Sequence, residues 1–262
     1  MNEPVRGQNL TYSIANTLGV AIVTGTYSAD NPIPIEAELC RQFSASRTVL
    51  REAVKMLTAK GLLGSRPRLG TWVQPEDKWN LLDPDVLGWL LERKFSPSLL
   101  IEFTEIRLAV EPGAAALAAR AAGPAEKAAI TDAIERMAAA DRGDDDPLDA
   151  DIAFHVAVLR GSRNRFYAQL TGFTSTALRI SIRTTNRYKG VQRASVPDHR
   201  KVADAILAGR PAAAGEAMRK LIQEAMDLII KRGAANADWR ASANVLRDPH
   251  AILMPKIRSP LA

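Results

Sequence analysis

Residues 36–73 constrain the fold of this chain most strongly, because two short helical patterns are followed there by two short apolar runs. The second pattern repeats at i, i+3, i+4 and i+7, which places its apolar residues on one helical face. These residues are Leu50, Ala53, Val54 and Leu57. Ser46 is suited to cap the start of this helix, and Gly61 gives a stop signal at its end. The stretch predicts a helix–turn–helix followed by a β-hairpin.

This stretch is also strongly basic. From Arg41 to Arg68 there are seven basic residues and one acidic residue. A cationic helix beside a cationic hairpin suits a groove lined by phosphates. The alternative is a solvated basic face on an ordinary helical domain, because a basic patch alone does not identify its partner.

The motifs Ser46-Arg47-Thr48, Arg51-Glu52-Ala53 and Gly70-Thr71-Trp72-Val73 resemble the winged helix–turn–helix of the GntR family of bacterial transcription regulators. The resemblance implies that Arg47, Thr48, Arg51 and Gly70 contact operator DNA. The basic hairpin adds Arg66 and Arg68 as candidate DNA-binding residues. In one subfamily, the FadR type, an arginine of the preceding helix also contacts DNA, and Ala37 stands at that position here.

Length and composition set the remaining bounds. A chain of 262 residues is long enough for two domains, and an apolar content of 47% with only 5% aromatic residues is typical of helical proteins. The net charge of +6 favours a polyanionic partner. A single cysteine, no long apolar run and no hydrophobic leader predict a soluble protein of the bacterial cytosol, without membrane association.

After the wing, the chain shows helical periodicity without strand patterns. Six helical segments are expected, at about residues 97–121, 124–140, 148–160, 164–187, 196–208 and 211–232. Short loops between amphipathic helices predict an antiparallel all-α bundle of six to seven helices. The expected organisation is a DNA-binding domain at residues 8–75, a linker at 76–80, a helical domain at 81–233 and a flexible tail at 234–262.

Charged residues lie on apolar helical faces in three places of the expected bundle. Asp151 and His155 are four residues apart, His199 lies centrally in an apolar stripe, and Arg107 lies between apolar residues with Glu111 one turn on. Taken singly, each histidine is explained as a hydrogen-bonded core residue. The Asp151–His155 and Arg107–Glu111 pairs are each explained as an internal ion pair. Together they suggest a ligand site, because burying unpaired charge is costly. Two imidazoles and a carboxylate suit a divalent transition metal, and a guanidinium suits a carboxylate.

Asp151-x-x-x-His155, Gly161-Ser162-x-Asn164 and Asp198-His199 resemble the FCD effector domain of the FadR subfamily. The resemblance implies that an aspartate and three histidines hold a metal such as zinc, nickel or manganese, which helps bind a small carboxylate. Asp151, His155 and His199 match three of these ligands, but Leu221 stands at the fourth position. Direct capture of an anion by both histidines and Arg107 is the competing hypothesis. Arg179 and Arg183 are further candidates for effector binding, or are surface or interface residues.

The segment around Trp79-Asn80-Leu81-Leu82-Asp83 resembles the galactonate-operon repressor branch of this family. The resulting hypothesis is a homodimeric, non-enzymatic repressor that a sugar acid, galactonate first, releases from its operator. Alternatives are the same regulator with another hydroxy acid or an acyl-CoA as effector, or a metal-dependent enzyme that uses Asp151, His155 and His199. No nucleophile or glycine-rich phosphate loop supports the enzyme, so no catalytic residue is assigned.

Overall fold

The computed structural model describes residues 6–66, 70–93, 97–187 and 195–233, apart from the side chains of residues 6–9, 97, 182–187 and 232–233. Arg68, the side chain of Arg183 and the expected tail at 234–262 therefore lie outside the described residues. The chain divides into two compact units, Met1–Lys94 and Phe95–Ala262. The fold is mainly helical, with one two-stranded sheet in the described part of the chain.

The first unit contains the expected winged helix–turn–helix. Its elements are α1 (Arg6–Val23), α2 (Glu36–Gln42), α3 (Arg47–Ala59), β1 (Leu63–Arg66), β2 (Gly70–Val73), a 3₁₀ turn (Glu76–Lys78) and α4 (Pro84–Leu90). Apolar residues of α1 and α3 form its core, because each helix carries one apolar stripe. The buried residues include Ile14, Leu18, Ile22, Leu50, Ala53 and Leu57. The predicted apolar face of α3 is confirmed, with Val54 at its partly buried edge.

Both ends of α3 are fixed by local hydrogen bonds. The Ser46 hydroxyl accepts from the Val49 backbone N–H at 3.3 Å, as the sequence predicts. At the other end, Gly61 has φ +80° and the Leu62 N–H donates to the Leu57 carbonyl at 3.0 Å. This is the Schellman arrangement, for which glycine is favoured. The hairpin that follows is antiparallel, with Arg66 opposite Gly70.

Residues 76–90 lie in the first unit and are tied to its other elements by hydrogen bonds and packing. The Asn80 N–H donates to the Lys60 carbonyl at 2.9 Å. Trp89 of α4 donates through Nε1 to Asn16 of α1 at 2.7 Å, and its ring packs on Gly19. A bulky indole that fits against a glycine explains why α4 packs on α1.

The second unit is an antiparallel helical bundle. Its described helices are α5 (Pro97–Ala121), α6 (Pro124–Arg142), α7 (Pro147–Gly161), α8 (Arg165–Gln169), α9 (Thr171–Arg187), α10 (Val196–Leu207) and α11 (Pro211–Gly233). One expected helix, at about 164–187, is two helices, which are separated at Leu170. At this junction the Thr171 hydroxyl donates to the Ala168 carbonyl at 3.0 Å. None of the described helices is both long and apolar enough to span a membrane.

Helix α7 occupies the centre of the bundle. It packs against α5, α6, α8 and α9. Nine of its residues are buried, on nearly all sides of the helix. An all-round apolar helix is typical of a central position. The two charged residues among the nine, Asp151 and His155, are therefore held inside the bundle.

Candidate functional site

The structure brings four of the predicted effector-site residues together inside the second unit. Arg107 of α5, Asp151 and His155 of α7 and His199 of α10 are all buried. Each lies on the apolar face that packs its helix into the bundle. Burial of this many ionisable groups in a small domain is unusual unless they are paired or bind a ligand.

Glu111 holds two of these residues. Its Oε1 accepts from Arg107 Nε at 2.7 Å, and its Oε2 accepts from His155 Nδ1 at 2.5 Å. The Thr174 hydroxyl of α9 donates to the same Oε1 at 3.5 Å. Because the carboxylate only accepts, the proton of a neutral His155 is on Nδ1 and its Nε2 carries a lone pair.

A backbone carbonyl fixes His199 in the same way. His199 Nδ1 donates to the Ser195 carbonyl at 2.8 Å, so the Nε2 of a neutral His199 also carries a lone pair. The two Nε2 atoms are 3.4 Å apart. The ring of Phe154 packs edge-on against both imidazoles, at 5.6 Å from His155 and 5.1 Å from His199 between centroids.

Asp151 completes the group. Its Oδ1 lies 3.0 Å from His199 Nε2 and 3.6 Å from His155 Nε2. Despite this proximity, Oδ1 is buried without a hydrogen-bond partner among the described residues. The structure therefore directs one carboxylate oxygen and two imidazole Nε2 atoms at a common point, and Arg107 Nη2 lies 3.3 Å from the Nε2 of His155.

Both carboxylates of the site are held in the ionised form. Burial raises the pKa of Glu111, but the positive charge of Arg107 and the contact with His155 outweigh it and lower that pKa to about 2. Burial also raises the pKa of Asp151, and His199, His155 and Arg107 outweigh it, so that this pKa lies below its usual value. One guanidinium and two carboxylates leave one net negative charge before any charge on the imidazoles is counted.

This donor set fits a divalent metal. The ligand atoms of Asp151, His155 and His199 lie within 4.8 Å of one another. Imidazole nitrogen and carboxylate oxygen are common ligands of zinc, nickel and manganese, and three protein ligands leave open positions. The orphaned Asp151 Oδ1 favours a cation in particular, because a buried carboxylate oxygen is costly without a partner.

Another candidate effector residue, Arg179, forms a surface ion pair. Arg179 pairs with Asp149 at 3.0 Å, and both side chains are exposed. Leu221, at the position of the missing fourth ligand, is partly buried and packs against the apolar core. The sequence reasoning noted Glu111 only as a possible ion-pair partner of Arg107 and overlooked Thr174, which no spacing rule connects with α5.

The described candidate DNA-binding residues lie on the surface of the first unit. Arg47, Thr48, Arg51, Arg66 and Gly70 are all exposed. A carboxylate from the preceding helix faces the two arginines of α3, since Glu36 accepts from Arg51 at 3.0 and 3.2 Å and lies 3.8 Å from Arg47. Gly70 has φ +87° and open space around it. Trp72 stacks with Arg66, 6.0 Å from its ring centre.

A winged helix–turn–helix followed by a helical domain with a buried cluster of charged residues is typical of a two-domain transcription regulator. Residues 10–73 match the bacterial regulatory proteins of the gntR family, and residues 102–224 match the FCD domain. The chain belongs to the GntR family and carries an FCD domain.

Similar proteins are bacterial regulators. The chain is 37% identical to the galactonate operon transcriptional repressor of Escherichia coli K12 over 199 residues, which cover 76% of this chain and 87% of that protein. It is 29% identical to the regulator LutR of Bacillus subtilis, over 73% of this chain and 88% of that one. A solved structure of Lar, which controls the Listeria monocytogenes agr system, matches with a TM-score of 0.56 at 15% identity, covering 88% of this chain and 99% of that chain, and supports the fold alone.

Proposed function

We propose that this protein is a homodimeric repressor of genes for sugar-acid catabolism. It binds operator DNA through Arg47, Thr48, Arg51, the wing arginines Arg66 and Arg68, and Gly70. A small carboxylate, with galactonate the first candidate, fills the site in the second unit and lowers the affinity for DNA. The effector changes DNA affinity by binding one of two dimer conformations more tightly than the other.

The observation that carries the effector proposal is the unsatisfied buried Asp151 Oδ1 beside two imidazole lone pairs. Asp151, His155 and His199 would hold a divalent ion there. The bound ion would supply positive charge and open positions for a carboxylate oxygen. It would change the net charge of the site from one negative to one positive, which favours an anion.

Arg107 is placed to bind the carboxylate. Its Nη2 lies 3.4 and 3.3 Å from the two ring nitrogens of His155. Nη2 carries two N–H groups, so one can bind a ligand oxygen while the other faces the His155 ring. Direct capture of the anion without metal is less favoured, because the two buried carboxylates outnumber the one guanidinium and repel a third carboxylate.

The choice of a sugar acid rests on the hydrophilic character of this cluster and on the similarity to a galactonate operon repressor. A buried group of charges suits a small polar anion better than the fatty chain of an acyl-CoA. Other hydroxy acids share the same carboxylate and hydroxyl chemistry and belong in the same panel of test ligands.

The test is fluorescence anisotropy of the full chain on DNA from upstream of its own gene, at fixed salt. Titrations with galactonate are compared for protein loaded with divalent metal and for protein stripped with a chelator. We expect galactonate to release the metal-loaded protein only. Release of the stripped protein would favour direct capture of the anion without metal. Unchanged DNA binding by both forms of the protein would reject galactonate as the effector. Absence of DNA binding would reject the repressor function.

A further inference from the structure

Glu111 lies between the two parts of the proposed effector site. One of its oxygens binds Arg107 and the other binds His155. These partners differ in role, because His155 is a proposed metal ligand and Arg107 is the proposed carboxylate-binding group. A single side chain therefore connects the group that would hold the metal with the group that would bind the anion.

The first consequence concerns the tautomer of His155. A neutral imidazole binds a metal through the nitrogen that lacks the proton. Glu111 Oε2 accepts from Nδ1 at 2.5 Å, which leaves Nε2 free to face Asp151 and His199. Without this acceptor, His155 could place its proton on Nε2, which faces Asp151 Oδ1 at 3.6 Å. That tautomer would close the site to a cation.

The second consequence concerns the orientation of Arg107. Glu111 Oε1 engages Nε, at the side of the guanidinium, and leaves the terminal Nη2 beside His155. The same Oε1 is also within 3.5 Å of the Thr174 hydroxyl, so three helices contribute to holding the carboxylate. Glu111 is buried to 1% exposure, which prevents water from replacing either partner.

We propose that Glu111 is the positioning residue of the effector site: it fixes the His155 tautomer that accepts a metal and aims Arg107 at the ligand carboxylate. This inference rests on the proposed metal-assisted function and adds a residue to it. Glu111 itself touches neither the metal nor the effector. Groups that orient a metal-bound histidine typically contribute 10- to 100-fold to metal affinity.

The test uses the full chain with Glu111→Gln, which keeps the shape of the side chain and removes its charge. Thr104→Val is the matched control, because Thr104 lies on the same helix, is equally buried and bonds only to the Leu100 carbonyl among the described residues. Zn²⁺ affinity is measured by competition with a chelating dye, after circular dichroism shows that the helical content is retained.

We expect Glu111→Gln to weaken Zn²⁺ binding about 10- to 100-fold and Thr104→Val to leave it unchanged. Equal Zn²⁺ affinity of Glu111→Gln and the wild type would overturn the proposal. A merely structural ion pair predicts a change in unfolding, with no change of metal affinity in the folded protein.

If Glu111→Gln does not fold, a second measurement tests the proposed tautomer of His155. The chain has three histidines, so ¹⁵N NMR of the metal-free wild type gives a simple spectrum, assigned with His155→Gln and His199→Gln. We expect neutral His155 to be protonated at Nδ1 alone. A proton on Nε2, or an equal mixture of tautomers, would overturn the proposal. If the wild type binds no Zn²⁺, the proposed metal is wrong, while this spectrum still reports on Glu111.

Discussion

Two arginine–glutamate pairs, one in each unit, have similar geometry and opposite surroundings. Arg51 Nε lies 3.0 Å from Glu36 in the first unit, where the side chains are 64% and 38% exposed. Arg107 Nε lies 2.7 Å from Glu111 in the second unit, where they are 7% and 1% exposed. An exposed pair separates at little cost, whereas a buried pair cannot separate without leaving an uncompensated charge.

This difference matches the role that we propose for each unit. In the proposed DNA-reading surface, the arginines have to exchange a carboxylate for phosphates or base edges each time the operator is bound. In the proposed effector site, the guanidinium has to stay in place while ligands come and go. The same two residue types therefore provide an exchangeable cation in one unit and a fixed cation in the other.

The largest expected effect comes from removing the fixed cation. Arg107→Ala leaves Glu111 buried without its main partner, so we expect the free energy of unfolding of the second unit to fall by about 3–5 kcal/mol. Operator binding should persist in conditions where the variant is folded, and release by the effector should be lost. Urea unfolding followed by circular dichroism, and anisotropy with and without effector, measure the two effects.

Arg51→Ala is the matched variant in the first unit. We expect no measurable change of unfolding, because its pair with Glu36 is exposed to solvent. If the two variants are equally stable, or if Arg107→Ala still responds at the wild-type effector concentration, the contrast between fixed and exchangeable cations is wrong.

The second effect concerns the dependence of stability on pH in the acid range. The pKa of Glu111 is lowered from 4.5 to about 2 in the folded protein, so its ionised form favours folding. The corresponding stabilisation is complete above about pH 4.5 and is lost as the pH falls toward 2. A shift of this size corresponds to on the order of 3 kcal/mol. Urea midpoints of metal-free protein at decreasing pH should fall more steeply for the wild type than for Glu111→Gln, and parallel curves would contradict the assignment.

The third effect concerns DNA affinity. Arg47 opens α3 and its side chain is 75% exposed, so it is free to reach a base edge. Arg47→Ala should cost on the order of 1–3 kcal/mol of operator affinity with little effect on unfolding. Anisotropy on operator DNA and on a scrambled duplex separates base reading from phosphate contact. An equal loss on both duplexes would assign Arg47 to the phosphate backbone, and unchanged affinity would remove it from the interface.

The sequence predicted the parts of this molecule that depend on local patterns. The caps of α3 follow from Ser46 and Gly61, and the inward direction of Asp151 and His155 follows from their helical spacing. Such patterns specify which face of a helix is buried and where the helix begins or ends. They do not specify which helical faces contact each other in the bundle. The contact of Glu111 with His155 joins residues 44 positions apart. The sequence around neither residue predicts this contact. The packing of α4 on α1 depends likewise on the fit between Trp89 and Gly19, which periodicity does not encode.

The smallest expected effect tests the exchangeable pair itself. Glu36 places a carboxylate among the arginines proposed to contact DNA, and its pairing with Arg51 competes with a phosphate contact of that arginine. Glu36→Gln should therefore strengthen binding to non-operator DNA, and the slope of log affinity against log salt should become steeper by up to about 0.9, the value for one additional phosphate contact. Glu38→Gln is the control, because Glu38 is exposed on the same helix and forms no ion pair with any described residue. If both variants change the slope equally, Glu36 acts only through net charge, and its pairing with Arg51 has no part in DNA recognition.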